Sequence, residues 1–217
     1  MRSRIVKHVE SDWPRSVEEW YLRHCEFEKK KHFFDVGHAW NGEPPELQFP
    51  EPASAIRLAV DCNMPSILPA TYYRLAISDV GRTWGSGEGP TRTQLSARWD
   101  LLERDEWKRW AVGKSELFRR CRFFEVYVPR APQCEVKDEC RNARHDAYEA
   151  ASRRRNMGSA LRPDLLWTIF ECLEDDIEST EICWYCQNAL KQRLRDLLER
   201  TWNDLPEIFG LLPPTAP

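Results

Sequence analysis

Four of the eight cysteines form two close pairs, and these pairs carry the clearest chemistry in the sequence. Cys134-x5-Cys140 is followed, after 42 intervening residues, by Cys183-x2-Cys186. Thiolates are strong ligands for Zn²⁺, which prefers four tetrahedral donors, and two pairs from distant chain segments commonly supply them. The spacing therefore predicts a structural zinc site formed by Cys134, Cys140, Cys183 and Cys186.

The predicted secondary structure around these cysteines supports a metal site. Cys134 lies just before a predicted helix and Cys140 in its early turns, whereas Cys183 and Cys186 flank the start of the last predicted helix. Helix N-termini offer unpaired amide donors and a partial positive charge, which stabilise thiolate relative to thiol. Four thiolates leave no open coordination position on zinc, so we expect no catalysis by the metal.

Other interpretations of the cysteines stay open. The four can be plain buried thiols, and the CxxC pair also fits a redox motif, although no thioredoxin-like βαβ pattern surrounds it. His145 follows Cys140 by five positions and can replace one thiolate as a ligand. The remaining cysteines lie on apolar helical faces and are predicted to be core residues: Cys25, Cys62, Cys121 and Cys172.

Composition and charge limit the class of protein. The chain has 217 residues, of which 41% are hydrophobic and 31% charged, as expected of a soluble globular protein. Its formal net charge of -3 gives no global field that attracts phosphate backbones or anionic lipid. No apolar run is long enough to span a membrane, and no signal peptide follows the basic start. We therefore predict an intracellular protein, in the cytoplasm or nucleus, with reduced thiols and no membrane partner.

One basic cluster keeps a nucleic-acid role open as the alternative. Arg153, Arg154 and Arg155 form a dense group of basic residues, and phosphate groups bind such patches. The acidic run between residues 171 and 181 and the net negative charge argue against this role. The sequence contains no P-loop lysine, nucleophile elbow or metalloprotease motif, so it predicts a protein that is not an enzyme.

Helical patterns dominate the elements that must position the cysteines. Ser16 and Glu19 have the spacing of a capping box, which marks a helix start, and Asn63 to Pro65 marks a turn. Apolar residues recur at helical spacing through most of the chain. The predicted helices are Ser16–Phe34, Ala53–Cys62, Ser66–Ile77, Thr93–Arg122 with a break at Gly113, Val136–Ser152, Pro163–Ile177 and Trp184–Trp202.

A glycine-rich stretch divides the predicted helices into two groups. Gly81 to Pro90 holds four glycines and a proline, a composition typical of a flexible connection or a domain boundary. The prediction is a mainly α protein, a helical bundle in two packed parts. The first part covers residues 1–85, and the second, stabilised by the four-cysteine zinc site, covers residues 90–217. The hydrophobic run Leu205 to Pro214 is expected to dock on the core.

Three stretches, together with the four cysteines, carry a resemblance to a known family. His8 to Trp20, Glu51 to Ala76 and Thr201 to Leu211 resemble the region downstream of the BTB/POZ domain in fungal, mainly basidiomycete, BTB-domain proteins. The resemblance covers most of the chain and implies a helical post-BTB extension over residues 1–85. It also implies a protein-interaction or adaptor role. The BTB fold itself is absent from this sequence, so BTB-mediated dimerisation and cullin recruitment are not implied.

These observations together predict a non-enzymatic protein-interaction or adaptor module with a structural zinc site. The alternative is a zinc-stabilised nucleic-acid-binding or transcription-regulatory module, which depends on the arginine cluster. Three tryptophans near predicted loops are candidates to face a partner: Trp13, Trp40 and Trp84.

Overall fold

Helices account for most of the structure, as the sequence predicts. The computed structural model describes residues 9–35, 50–82, 84, 95–122, 131–135, 140, 142, 164–170 and 182–211. Within them the main helices are α1 (Val17–Asp35), α2 (Pro52–Cys62), α3 (Leu68–Ala76), α4 (Arg104–Arg122) and α5 (Trp184–Ile208). Two short 3₁₀ helices cover Pro65–Ile67 and Trp99–Leu101, and residues 165–170 are also helical.

Helix α1 begins at the predicted capping residues. The Glu19 N–H donates to Ser16 Oγ at 3.3 Å, and the Glu19 carboxylate accepts from the Arg15 N–H at 2.7 Å. Each bond satisfies a backbone donor near the helix start, which otherwise has no partner in the helix. The predicted start of this helix is therefore confirmed.

Helices α2 and α3 form the predicted hairpin. The Glu51 carboxylate caps α2 by accepting from the N–H groups of Ala53 and Ser54 at 2.9 and 2.6 Å. Asn63 ends α2 in the left-handed conformation, with φ of 54°, which asparagine tolerates better than most residues. Pro65–Ile67 then leads into α3, and the two helices pack against each other.

The predicted start of the next helix is wrong. Helix α4 begins at Arg104, and residues 95–103 directly before it are not α-helical. The Leu95 carbonyl accepts from the Asp79 N–H at 2.9 Å, and the Ala97 carbonyl accepts from the Trp84 N–H at 3.2 Å. These bonds to a distant segment hold the backbone in a non-helical conformation, although the residue types favour a helix.

The predicted break at Gly113 is also wrong, because α4 runs through this position. A Cβ atom at Gly113 would overlap the ring of Phe209. Phe209 is buried, and its ring stacks on that of Tyr72 with centroids 5.4 Å apart. Glycine is therefore present because it allows a buried ring to approach the helix backbone closely, and its low helix propensity is outweighed.

The chain forms two compact units. The first unit comprises Met1–Lys114 together with Leu205–Pro217, and the second comprises Ser115–Asp204. Both boundaries of the second unit fall inside continuous helices, α4 and α5. The predicted division near residues 85–90 falls almost entirely outside the described residues, so the domains 1–85 and 90–217 stay a prediction.

Helix α5 buries the predicted apolar face and then continues beyond its predicted end. Its buried leucines in the second unit are Leu190, Leu194 and Leu198. The helix extends past Trp202 to Ile208 even though it contains Pro206. Leu205, Ile208 and Phe209 are buried, so the expectation that this run docks on the core is confirmed for its described part.

A short helical stretch adds to the core of the second unit. Asp164 precedes it, and the Asp164 carboxylate accepts from the Trp167 N–H at 3.1 Å, as an N-cap does. Leu166 and Ile169 are buried, as the periodicity predicts. Residues 123–130, 136–139 and 171–181 lie outside the described residues, as does most of the predicted helix Val136–Ser152.

Candidate metal centre

The four predicted cysteine ligands come from three places in the second unit. Cys134 closes a turn in which its N–H donates to the Ala131 carbonyl at 3.0 Å. Cys140 is a helical residue, Cys183 immediately precedes α5, and Cys186 lies in the first turn of α5. The turn and the helix start therefore fix the backbone from which at least three of the thiols project.

The four sulfur atoms lie within 4.8 Å of one another. The Sγ atoms of Cys134 and Cys183 are 3.7 Å apart. Zinc–sulfur bonds of about 2.3 Å in a tetrahedron place neighbouring sulfurs about 3.8 Å apart, whereas a disulfide requires about 2.05 Å. The cluster therefore has the dimensions of a four-sulfur metal site, and its cysteines form no disulfide bonds.

An apolar environment surrounds the sulfur atoms. Cys134, Cys140 and Cys186 are buried, and Cys183 is half-buried. The cysteines pack with three apolar side chains: Ala131, Ile182 and Ala189. Burial excludes most water from the sulfur atoms, and these neighbours bring no polar side-chain atoms to the cluster.

Backbone hydrogen bonds and burial act in opposite directions on these thiols. The Cys183 N–H donates to Cys140 Sγ at 3.2 Å. A backbone hydrogen bond from Cys186 lowers the pKa of Cys183 to about 7, because an N–H group stabilises the thiolate. Burial and the neighbouring thiols raise the pKa of Cys134 to about 12, and burial also raises the pKa of Cys140.

The crowding of the thiols explains what the cluster can do chemically. Several negative charges in a buried cluster repel one another, so the thiols lose their protons together only if a cation replaces them. With its pKa lowered to about 7, Cys183 ionises more readily than Cys134 or Cys140, whose pKa values are raised. The arrangement can thus hold a metal ion, and its affinity is expected to increase with pH.

The other sequence-predicted candidates have different outcomes. Cys25 and Cys62 are half-buried, so the prediction that they are core residues holds only in part. Several candidates lie outside the described residues or have side chains that are not described: Cys121, His145, Arg153, Arg154, Arg155 and Cys172.

Among the described residues, the most exposed aromatic side chains are not the tryptophans that were expected to face a partner. Trp13 is buried, which contradicts its predicted role, and Trp84 is half-buried, whereas Trp40 lies outside the described residues. The side chains of Trp184 and Tyr185 are 68% and 46% exposed. They occupy the two middle positions of the Cys183-x2-Cys186 motif, in the first turn of α5. This spacing is the sequence signal for their exposure, because residues between two inward-facing positions three apart at a helix start lie on other faces of the helix.

Comparisons with known proteins indicate no function for this chain. The chain matches none of the protein families, curated proteins or solved structures with which it was compared. Among the described residues, no helix combines the length and apolar character needed to cross a membrane.

Proposed function

We propose that Cys134, Cys140, Cys183 and Cys186 bind one structural Zn²⁺ and that the chain is a non-enzymatic protein-interaction or adaptor module. The observation that carries the zinc assignment is the convergence of four thiols within 4.8 Å. Zinc accepts four sulfur ligands without a redox change and prefers the tetrahedral geometry that this cluster suits. Hard cations such as Mg²⁺ and Ca²⁺ prefer oxygen ligands instead.

Four protein ligands make the proposed site structural. A catalytic zinc keeps one position open for water or substrate, and four thiolates fill every position. The metal would link the Ala131–Cys134 turn and Cys140 to the start of α5, so its binding free energy would stabilise the fold of the second unit.

The exposed aromatic pair supports an interaction role. Trp184 and Tyr185 form an edge-to-face pair with centroids 5.2 Å apart, and both side chains are largely open to solvent. Tryptophan and tyrosine are enriched among the residues that dominate binding energy at protein interfaces. A metal bound by Cys183 and Cys186 would hold the pair rigidly, which reduces the entropy lost on binding. The resemblance to the region downstream of BTB domains supports the same role.

Metal analysis of protein purified without added zinc tests the first half of the proposal. We expect about one zinc per chain, and the Cys183→Ser variant should lose the metal and become less stable. Cys62→Ser is the matched control because Cys62 is half-buried in α2 and is not one of the four clustered cysteines, and this variant should keep its zinc. A metal-free wild type that is as stable as zinc-loaded protein would contradict the proposal.

Comparison of surface variants tests the interaction role. Proteins captured by the wild type are compared with those captured by the Trp184→Ala/Tyr185→Ala double variant and by Leu22→Ala. Leu22 is a similarly exposed apolar residue on α1, so it controls for general loss of surface hydrophobicity. We expect a partner that is lost only with the double variant, which should still bind zinc. Equal capture by all three proteins would contradict the proposal.

A heparin or DNA column distinguishes the alternative. Nucleic-acid binding through Arg153, Arg154 and Arg155 predicts retention that weakens steeply with salt. The interaction module predicts no retention at low salt.

A further inference from the structure

The four clustered thiols differ in their access to solvent. Cys183 is half-buried, whereas the other three cysteines of the cluster are buried. The residue that follows it, Trp184, is 68% exposed, so Cys183 lies at the edge of the cluster that faces solvent. Oxidation of cysteine by a dissolved oxidant depends on exposure of the sulfur atom. Cys183 is therefore the thiol of this cluster that such an oxidant meets first.

A second thiol lies within reach of Cys183. The Sγ atoms of Cys134 and Cys183 are 3.7 Å apart, and a disulfide bond requires about 2.05 Å. Neither residue lies inside a helix, since Cys134 follows a turn and Cys183 precedes α5, whereas Cys140 and Cys186 are helical. Cys134 and Cys183 can therefore approach each other without distortion of a helix.

This pair differs from the redox pair that the CxxC spacing suggests. That spacing indicates Cys183 and Cys186, which are three positions apart at the start of α5. The contact between Cys134 and Cys183 instead joins segments 49 positions apart. A disulfide at this contact would connect the Ala131–Cys134 turn to the start of α5 by a covalent bond, which is the connection that the metal would otherwise make.

We propose that Cys183 is a site of oxidation by hydroperoxides such as hydrogen peroxide, and that a disulfide between Cys183 and Cys134 then forms and releases the zinc. The proposal rests on the zinc site proposed above and adds its regulation. Only Cys140 and Cys186 would remain as sulfur ligands. Two ligands are too few to retain the ion, because structural zinc sites use four.

The oxidation takes place in two balanced steps. The Cys183 thiolate attacks one oxygen of hydrogen peroxide, so that an S–O bond forms, the O–O bond breaks and hydroxide leaves. The Cys134 thiolate then attacks the Cys183 sulfur, so that the S–S bond forms, the S–O bond breaks and a second hydroxide leaves. Each sulfur atom loses one electron, and the two oxygen atoms of the peroxide gain them.

Treatment of the zinc-loaded whole chain with hydrogen peroxide at neutral pH tests the proposal. A metal-binding dye measures the zinc released, and mass spectrometry counts the disulfides. We expect about one zinc per chain to be released in step with the formation of one disulfide. Dithiothreitol and added zinc should restore the metal-bound protein. Zinc that stays bound after the treatment would overturn the proposal.

Peptide mapping of the oxidised protein identifies the pair. After alkylation of the remaining thiols, trypsin cleavage after Lys137 separates Cys134 from Cys140. Chymotrypsin cleavage after Trp184 separates Cys183 from Cys186 in the same way. We expect a cross-link between the Cys134 and Cys183 peptides. A disulfide between Cys183 and Cys186 would overturn the proposal, even if zinc is released.

Two matched histidine variants test the role of Cys134. Cys134→His and Cys140→His each replace one thiolate with a ligand that zinc also accepts, but only Cys134→His removes the thiol that attacks Cys183. We expect Cys134→His to release zinc about fivefold more slowly than Cys140→His at the same peroxide concentration. Equal rates of release would overturn the proposal. If either variant fails to bind zinc, the peptide map of the wild type still decides the question.

The outcome is separable from that of the proposed function. The zinc content before oxidation tests the proposed metal site. A chain that contains no zinc at that stage overturns the proposed site, and the proposed release with it. Zinc that is present but resists peroxide, or that leaves without the Cys134–Cys183 cross-link, overturns the oxidation proposal alone.

Discussion

The two units of this chain are stabilised by different chemistry. The first unit is built on rings: Trp99, Trp107 and Trp110 pack with centroids 5.2 to 5.4 Å apart. The second unit contains, beside the leucines of α5, a cluster made of four thiols, one isoleucine and two alanines. Large rings bury much apolar area per residue, whereas cysteine and alanine bury little.

This difference indicates where the proposed metal would stabilise the fold. Two of the tryptophan N–H groups in the first unit find backbone acceptors, since Trp99 Nε1 donates to the Arg82 carbonyl and Trp110 Nε1 to the Leu75 carbonyl. Their rings are therefore buried without a cost in lost hydrogen bonds. The cysteine cluster has crowded thiols whose pKa values diverge, and a metal ion would convert this cost into binding free energy.

Of the changes considered, removal of the metal should have the largest effect on stability. It should destabilise the second unit and leave the first unit stable. Treatment with a strong chelator at neutral pH is expected to expose the amides of residues 131–135 and 182–190 to hydrogen exchange. The amides of α2 and α3 should keep their protection. The expected loss is roughly 5 kcal/mol or more of local stability, because a structural zinc contributes folding free energy directly.

A thiol outside the cluster provides the control for the chelation experiment. Cys25→Ser should respond to chelator as the wild type does, because Cys25 lies in α1. Unchanged protection of residues 182–190 after complete removal of metal would show that the sulfur cluster needs no ion.

A substitution in the first unit tests whether the packing of aromatic rings outweighs helix propensity there. Gly113→Ala should destabilise the protein by about 1–3 kcal/mol, because the new methyl group meets the buried ring of Phe209. Helix propensity alone predicts the opposite sign, a gain of about 1 kcal/mol. Thermal or denaturant unfolding measures the difference, and the zinc content should not change.

The neighbouring residue is a matched control for this substitution. Val112 lies on the exposed face of α4, so Val112→Ala should change stability by no more than about 0.5 kcal/mol. A Gly113→Ala protein more stable than the wild type would mean that Phe209 moves aside at no cost.

Disruption of an ion-pair network in the second unit should have the smallest effect on stability. Glu116 accepts from Arg119 and Arg120, and Arg120 Nη1 also donates to Asp204 Oδ2 at 2.6 Å. The hydrogen bonds from Arg119 and Arg120 lower the pKa of Glu116 to about 2. Because the folded pKa is below the unfolded value of about 4.3, the network stabilises at neutral pH. This stabilisation is lost as the pH falls from about 5 towards 2.

Glu116→Gln should therefore lower the free energy of unfolding by about 1 kcal/mol at pH 7. The effect is small because solvent screens these partly exposed ion pairs. The difference between this variant and the wild type should shrink towards zero as the pH approaches 2. Glu199→Gln, at an exposed position of α5, is the control and should have almost no effect. A Glu116→Gln penalty that does not change between pH 7 and pH 3 would contradict the electrostatic explanation.

Local signals in the sequence predicted the parts of the fold that depend on neighbouring residues. The capping residues Ser16 and Glu19 marked the start of α1, and the turn after Cys62 marked the hairpin. The proximity of the four cysteines was predictable because zinc chemistry limits which cysteine spacings are useful. Whether all four act as ligands, and whether His145 substitutes for one, stay predictions.

Long-range packing decided the features that the sequence did not predict. Gly113 resembles a helix breaker locally, and only Phe209, nearly a hundred positions later, explains why α4 continues through it. Leu95 and Ala97 lie among residue types that favour a helix, but their carbonyls accept hydrogen bonds from Asp79 and Trp84. The burial of Trp13 has the same origin, since a tryptophan near a predicted loop gives no sign of the rings that surround it.

X-ray absorption at the zinc K-edge tests the central claim most directly. On protein purified without added metal, the account predicts four sulfur atoms at about 2.3 Å from one zinc and no nitrogen or oxygen ligand. A shell that contains nitrogen or oxygen at about 2.0–2.1 Å, or the absence of bound zinc, would contradict it.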